Sequence, residues 1–265
     1  MIYCFFEVLR VDVVAVCVMV ILGLLGLVPG NELFDGFASN NSSFEKAGIS
    51  NAIEVRIQPD DAQWSADDVR YNVLRWTSSP RPPFGGYGPS LANPIDGQII
   101  AADIMLEFVF MSNRWLYEGL FTQGSMLAEE ATHEHDTHEE HFNELLGKNL
   151  RCSKGFDIQS GMVLGNMIGG TNVDIYDLDK NEILRQGLLH LTLHEVGHTL
   201  GLNHNMKASQ RFSATDVHNA ELTQGAITGS VMDYAPINLA PVGEAQGDYY
   251  DYAPGPYDDW AINYG

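Results

Sequence analysis

The chain has 265 residues, 45% of them apolar, and a formal net charge of −21. That suffices for one domain with a sizeable core, with or without extensions. The negative charge excludes nucleic acid and anionic membrane surfaces as electrostatic partners, because both are polyanions.

In chain order, residues 1–30 form an apolar N-terminal segment and residues 31–265 a folded domain. Val13–Val28 is unbroken apolar sequence, followed by Pro29-Gly30. A spanning helix needs about twenty such residues. The run therefore suits a signal-peptide core first and a membrane anchor second. The weak basic flank, with Arg10 between Glu7 and Asp12, leaves a misplaced start as a third reading. The first reading puts the protein outside the cell or in the cell envelope. Asn40 and Asn41 both fit N-x-[ST], a glycosylation pattern in exported eukaryotic chains.

A short helix is predicted over Glu32–Lys46, stopped at Gly48. Ala52–Gln58 alternates apolar and polar residues, as a half-buried strand does, and Tyr71–Thr77 reads as a second strand. Ser78–Pro94 is rich in Pro and Gly and reads as a loop. Ile99–Phe110 is β-rich. Ala128–Leu146 is a charged helix candidate carrying His133, His135, His138 and His141. It lacks a histidine four residues after His133, so it reads as a solvated polar helix. Asp177–Glu182 opens like a calcium loop but lacks the required glycine and the closing acid. Asp179 instead reads as an N-cap, with Glu182 completing a capping box. The helix that follows runs from about Lys180 to Leu200, with Leu184, Leu188, Leu191 and Val196 on its apolar face.

That helix carries the chemistry. His194-Glu195-Val196-Gly197-His198-Thr199-Leu200-Gly201-Leu202-Asn203-His204 spells H-E-x-x-H-x-x-G-x-x-H. Residues four apart share a helix face, so His194 and His198 can present two imidazoles to one metal. Glu195 lies beside that metal without being a ligand and can take a proton from water. Gly201 can adopt positive φ and end the helix, letting the chain turn back to bring in His204. Three protein ligands leave a fourth position for water, as catalytic zinc sites do.

With Ser230-Val231-Met232-Asp233-Tyr234 downstream, this pattern resembles the metzincin metalloproteases. The resemblance implies an α+β fold: a twisted mixed sheet, an active-site helix, and a loop-rich C-terminal subdomain carrying the Met-turn. It implies that Met232 lies beneath the histidine site. It also matches Tyr234 to a tyrosine that some branches use as an extra ligand and oxyanion stabiliser. Asn205, after the third histidine, is not the residue of the best-known branches. Asn51–Arg56, Arg70–Trp76, His194–Ser209 and Gly255–Ile262 are similar to segments of large bacterial zinc-dependent metalloproteases. An edge strand that pairs with substrate is expected within Ile99–Leu106. Some metzincins are kept latent by a pro-segment cysteine, but nothing around Arg151-Cys152-Ser153 resembles that device.

Cys4 and Cys17 lie in the apolar segment and only Cys152 in the rest, so no disulfide framework follows. No Lys or Arg follows Arg211, whereas Asp216, Glu221, Asp233, Glu244, Asp248, Asp251, Asp258 and Asp259 do. These read as solvated acidic loops, with bound calcium as a weaker second reading. Tyr257–Gly265 looks like the first turns of a closing helix, so the chain reads as truncated there.

The expectation is a zinc-dependent endopeptidase with one catalytic Zn2+ and a protein or peptide substrate. His194, His198 and His204 are its ligands, Glu195 its base and Tyr234 its oxyanion donor, with Gly201 and Met232 as structural support. Two other classes stay open: a non-proteolytic zinc-containing binding or toxin-associated module, and a zinc amidase acting on a small substrate.

Overall fold

The computed structural model describes residues 2–8, 11–13, 41–77, 85–107, 152, 154–171 and 178–265. The expected helix Ala128–Leu146 and nearly all of the Val13–Val28 run lie outside the described residues. Among the described residues no helix is long and apolar enough to cross a membrane.

The fold is α+β. Strands β1 (Ile2–Val8), β2 (Val11–Val13), β3 (Glu54–Ile57), β4 (Val73–Thr77), β5 (Gly86–Tyr87) and β8 (Ile104–Glu107) form one sheet. Its order is β2-β1-β4-β8-β5, with β3 also on β1. β4 and β8 run parallel and the other pairs antiparallel, so the sheet is mixed, as expected. β6 (Ser90–Ala92) and β7 (Ile99–Ala102) form a separate hairpin.

The structure differs from the sequence reading at both sides of this sheet. β1 comes from the segment set apart as residues 1–30, and its backbone pairs with β2, β3 and β4. Its Ile-Tyr-Cys-Phe-Phe run has the aromatic and apolar character that favours strands. At the other side, β8 is not an edge strand, because β4 and β5 flank it. Its Ile104 and Leu106 are buried, as an interior strand requires. The edge is β5, two residues inside the stretch read as a loop. So short a strand shows no alternation of apolar and polar residues.

Helix α1 (41–46) ends at Gly48, whose φ is +87°. Asn41 grips the backbone of Ile53 from both sides: its amide donates to the carbonyl and accepts from the N–H, each at 2.8 Å. That engaged amide is ill suited to carry a glycan.

Helix α2 (Lys154–Thr171) was not expected, because its 18 residues include five glycines, poor helix formers. Two of those glycines serve packing. A Cβ on Gly161 would sit 2.8 Å from the Tyr250 hydroxyl, and one on Gly165 would sit 3.2 Å from Ile237.

Helix α3 (Lys180–Thr199) begins where expected. Asp179 accepts the N–H groups of Asn181 and Glu182. The reciprocal half of the capping box is missing: Glu182 bonds Arg185 and Gln186, while the Asp179 N–H donates to Tyr249 Oη. Ile183, Leu184, Leu188 and Leu191 of α3 pack with Ile158 and Met162 of α2 and with Val73, Leu74, Ile104 and Leu106 of the sheet. The layer of α3 thus lies between the sheet and a loop-rich C-terminal part. Gln186 joins the two, accepting the N–H groups of Tyr249 and Tyr250 and donating to Asp248. Helix α4 (Pro256–Tyr264) closes the chain, and its Asp259 binds Ser43 and Lys46 of α1 at 2.6 and 2.7 Å.

Candidate metal centre

The last two turns of α3 supply His194, Glu195 and His198. Leu193, Val196 and the turn below bury this end of the helix, and His194 and Glu195 are 0% exposed. Gly201 has φ +86°, and Leu202 N–H returns to the Gly197 carbonyl at 2.9 Å. The chain thus reverses and delivers His204 beside His198. Asn205 N–H then donates to the Met232 carbonyl at 3.0 Å, fastening this bend to the turn Ser230–Asp233.

Hydrogen bonds set the ring orientations. His194 Nδ1 donates to the Val231 carbonyl at 2.7 Å, and His198 Nδ1 to the Leu202 carbonyl at 3.1 Å. A carbonyl can only accept, so both rings present an unprotonated Nε2 to the centre. His198 Nε2 lies 2.9 Å from His204 Nε2, and Tyr234 Oη lies 3.1 Å from His204 Nε2. Burial, followed by the nearby His198, holds His194 well below its ordinary range. Burial and then His204 bring His198 down to about 4, while burial and the Lys154 charge lower His204. The three imidazoles are neutral at neutral pH, the form a metal binds.

Met232 is 0% exposed and packs with Leu193, Val231 and Leu202. A Cβ on Gly197 would overlap its sulfur, so the turn presses directly against α3 beneath the histidines. Asp258 locks that turn, accepting from Ser230 Oγ, from Val231 N–H at 2.9 Å and from Gly255 N–H at 2.8 Å.

Neither carboxylate oxygen of Glu195 has a hydrogen-bond partner of normal geometry, and its nearest polar neighbours are Cys152 and the Gly88 backbone. Burial pushes its carboxyl up to about 8. The edge strand lies directly over it: a Cβ on Gly86 would overlap the carboxylate, and one on Gly88 the Glu195 carbonyl.

All the expected site residues are therefore brought together. A fourth donor, Cys152, lies among them. Cys152 Sγ lies 3.2 Å from His194 Nε2, and Tyr234 Oη donates to it at 3.3 Å. One ligand atom from each of Cys152, His194, His198 and His204 falls within 4.8 Å of the other three. Burial and the Glu195 carboxylate hold the Cys152 thiol well above its ordinary range. Lys154 was missed as well. It is 0% exposed, donates to the Ala235 carbonyl at 3.2 Å and lies 5.6 Å from the centre of the Tyr234 ring. Cys152 is 42 residues from His194 with no ligand spacing around it, so only the fold reveals its place.

Among the described residues no second such cluster converges. Of the late acids, Asp233 accepts from Ser209 N–H and Asp251 from Thr228 N–H, whereas Asp216, Glu221 and Glu244 are exposed, as expected. Asp251 and Asp258 are buried clamps, not the solvated acids expected.

Residues 177–265 match the family model described as Met-zincin. That stretch contains every site residue named from the sequence, and on it the metzincin resemblance is shown. The searches of curated proteins and of solved structures give no match.

Proposed function

We propose that this chain is a zinc-dependent endopeptidase that hydrolyses peptide bonds with Glu195 as general base. The observation that carries the reading is the convergence of three neutral imidazoles beside a buried carboxyl group with no hydrogen-bond partner of normal geometry. Burial keeps this carboxyl protonated unless a cation beside it draws the proton off and restores the base. The nitrogen and sulfur donors around it are those zinc takes.

His194, His198 and His204 would hold the ion. Zinc supplies, when bound there, polarisation of the scissile carbonyl and a lowered pKa for the attacking water. Glu195 accepts the water proton and delivers it to the leaving amine as the C–N bond breaks. Tyr234, carried by the turn that we identify with the Met-turn, donates its hydroxyl hydrogen to the developing oxyanion. β5 ends the strand order of the described sheet and stands above Glu195. We assign to it, in place of Ile99–Leu106, the pairing with an extended substrate backbone.

Two substitutions test these roles. Gly86→Ala forces the Glu195 carboxylate aside; it is expected to lower kcat about ten- to a hundredfold with zinc content unchanged. An unaltered kcat would show that the close approach of β5 has no part in catalysis. Tyr234→Phe is expected to lower kcat about tenfold or more with KM little changed, since only the charged state loses a donor. Equal changes in kcat and KM would remove Tyr234 from the oxyanion.

The position of Cys152 favours a second reading, a zinc module that is closed and does not cleave peptides. Casein digestion by the native chain and by its Cys152→Ala variant, with and without a chelator, separates the two. Chelator-sensitive cleavage by either protein supports the peptidase; zinc-loaded protein inert in both forms supports the module.

A further inference from the structure

We propose that Cys152 is the fourth ligand of the resting centre, so that the protein is a thiol-gated metallopeptidase whose gate is built into its own domain. The proposal rests on the zinc reading above. Tetrahedral zinc has Zn–N near 2.0–2.1 Å and Zn–S near 2.3 Å, which separates neighbouring ligand atoms by about 3.3–3.6 Å. Cys152 Sγ and His194 Nε2 are 3.2 Å apart, and the four ligand atoms lie within 4.8 Å of one another. The sulfur is thus within a few tenths of an ångström of a fellow ligand's distance from His194 Nε2, in a set that a bound ion would draw together.

One further contact of the thiol and two of its neighbours set it apart from a cysteine filling an apolar core. Tyr234 donates to its sulfur at 3.3 Å. Lys154, two residues on and fully buried, donates to the Ala235 carbonyl. Gly155 lies so close to β5 that a Cβ there would sit 2.6 Å from Gly85 Cα. Gly155 thus touches the edge-strand side and Lys154 the Tyr234-Ala235 side of the site. A Cβ at Gly155 or a shorter side chain at position 154 would disturb that grip.

The consequence is a closed set of three nitrogens and one sulfur, the arrangement of a structural zinc site. Water and the scissile carbonyl reach the ion only after Sγ departs. With zinc bound, the Cys152 thiolate would have to give up its bond to the ion and take a proton from solvent before water could be held there. Glu195, beside Cys152, then faces that water in place of sulfur. No part of the chain has to be cut away for this exchange.

Cobalt in place of zinc provides the test, because a thiolate ligand gives it a strong charge-transfer band in the near ultraviolet. The native chain with one cobalt is expected to show the band. Cys152→Ala is expected to bind cobalt without it, although Cys4 and Cys17 remain. The same variant loaded with zinc is expected to cleave casein about tenfold or more faster than the native chain. Alkylation of the native chain with iodoacetamide, mapped by mass spectrometry, adds a measurement that needs no variant. Cys152 should be protected with zinc and modified after chelation. Bound cobalt without the band, a band that survives in Cys152→Ala, equal alkylation in both states, or an unchanged cleavage rate would overturn the proposal. If the native chain cleaves casein in any of those cases, the peptidase reading still stands. Loss of the band in an inert Cys152→Ala variant would keep the ligand and sink the peptidase instead. Failure of both proteins to bind metal would overturn both.

Discussion

Glu195→Gln is expected to keep its zinc and to lower kcat/KM for peptide cleavage by about 10²–10⁴-fold. The change is isosteric, which matters at this position because Gly86 and Gly88 leave no room for a larger or displaced side chain. The amide cannot accept and return a proton, so the loss reports that transfer and not a collapse of the cleft. Glu195 orients neither His194 nor His198, whose Nδ1 bonds run to Val231 and Leu202, so metal content should not change. Measurement in a Cys152→Ala background prevents departure of the thiol from limiting the rate. Activity within about tenfold of the parent would remove Glu195 as base.

Asp258→Ala is expected to be the most damaging change away from the metal. Asp258 is 2% exposed and accepts from Ser230 Oγ, Val231 N–H and Gly255 N–H. Truncation strands three buried donors at about 1–3 kcal/mol each, so a loss of about 3 kcal/mol or more is expected. For a domain of this size that lowers Tm by about 6–12 °C. Asp258→Asn should cost only about 1 kcal/mol. Its amide oxygen can keep both N–H bonds while its NH₂ turns toward the Ser230 hydroxyl. The damage reaches the site through Val231, whose carbonyl orients His194. Zinc affinity in Asp258→Ala should fall about 10–100-fold, the usual effect of losing a partner of a ligand. Equal melting of the Ala and Asn variants would show that the clamp does not act through these hydrogen bonds.

The centre was legible because most of it is local in sequence. Four-residue spacing puts His194 and His198 on one face of α3, Gly201 alone can make the reversal after it, and Asp179 marks where the helix begins. Met232 and Tyr234 needed the resemblance, since neither spacing nor composition singles them out. Features built from tertiary contact were not legible. Cys152 reaches the site only because Lys154 and Gly155 lodge its segment between β5 and Ala235. α2 has glycines where a helix usually avoids them, and their reason is the nearness of Ile237 and Tyr250. β5 takes its importance from what lies beneath it, Glu195. Asp251 and Asp258 looked like surface charge because a run of acids says nothing about which backbone N–H groups they will bind.

The central claim is that three histidines hold a single zinc that makes this chain a peptidase. Its most direct test is to follow cleavage of a quenched peptide library while chelated Cys152→Ala protein is titrated with zinc. The account predicts no cleavage without metal, a linear rise on addition, and a break at one zinc per chain. Cleavage that survives chelation, or none at any level of bound zinc, would contradict it.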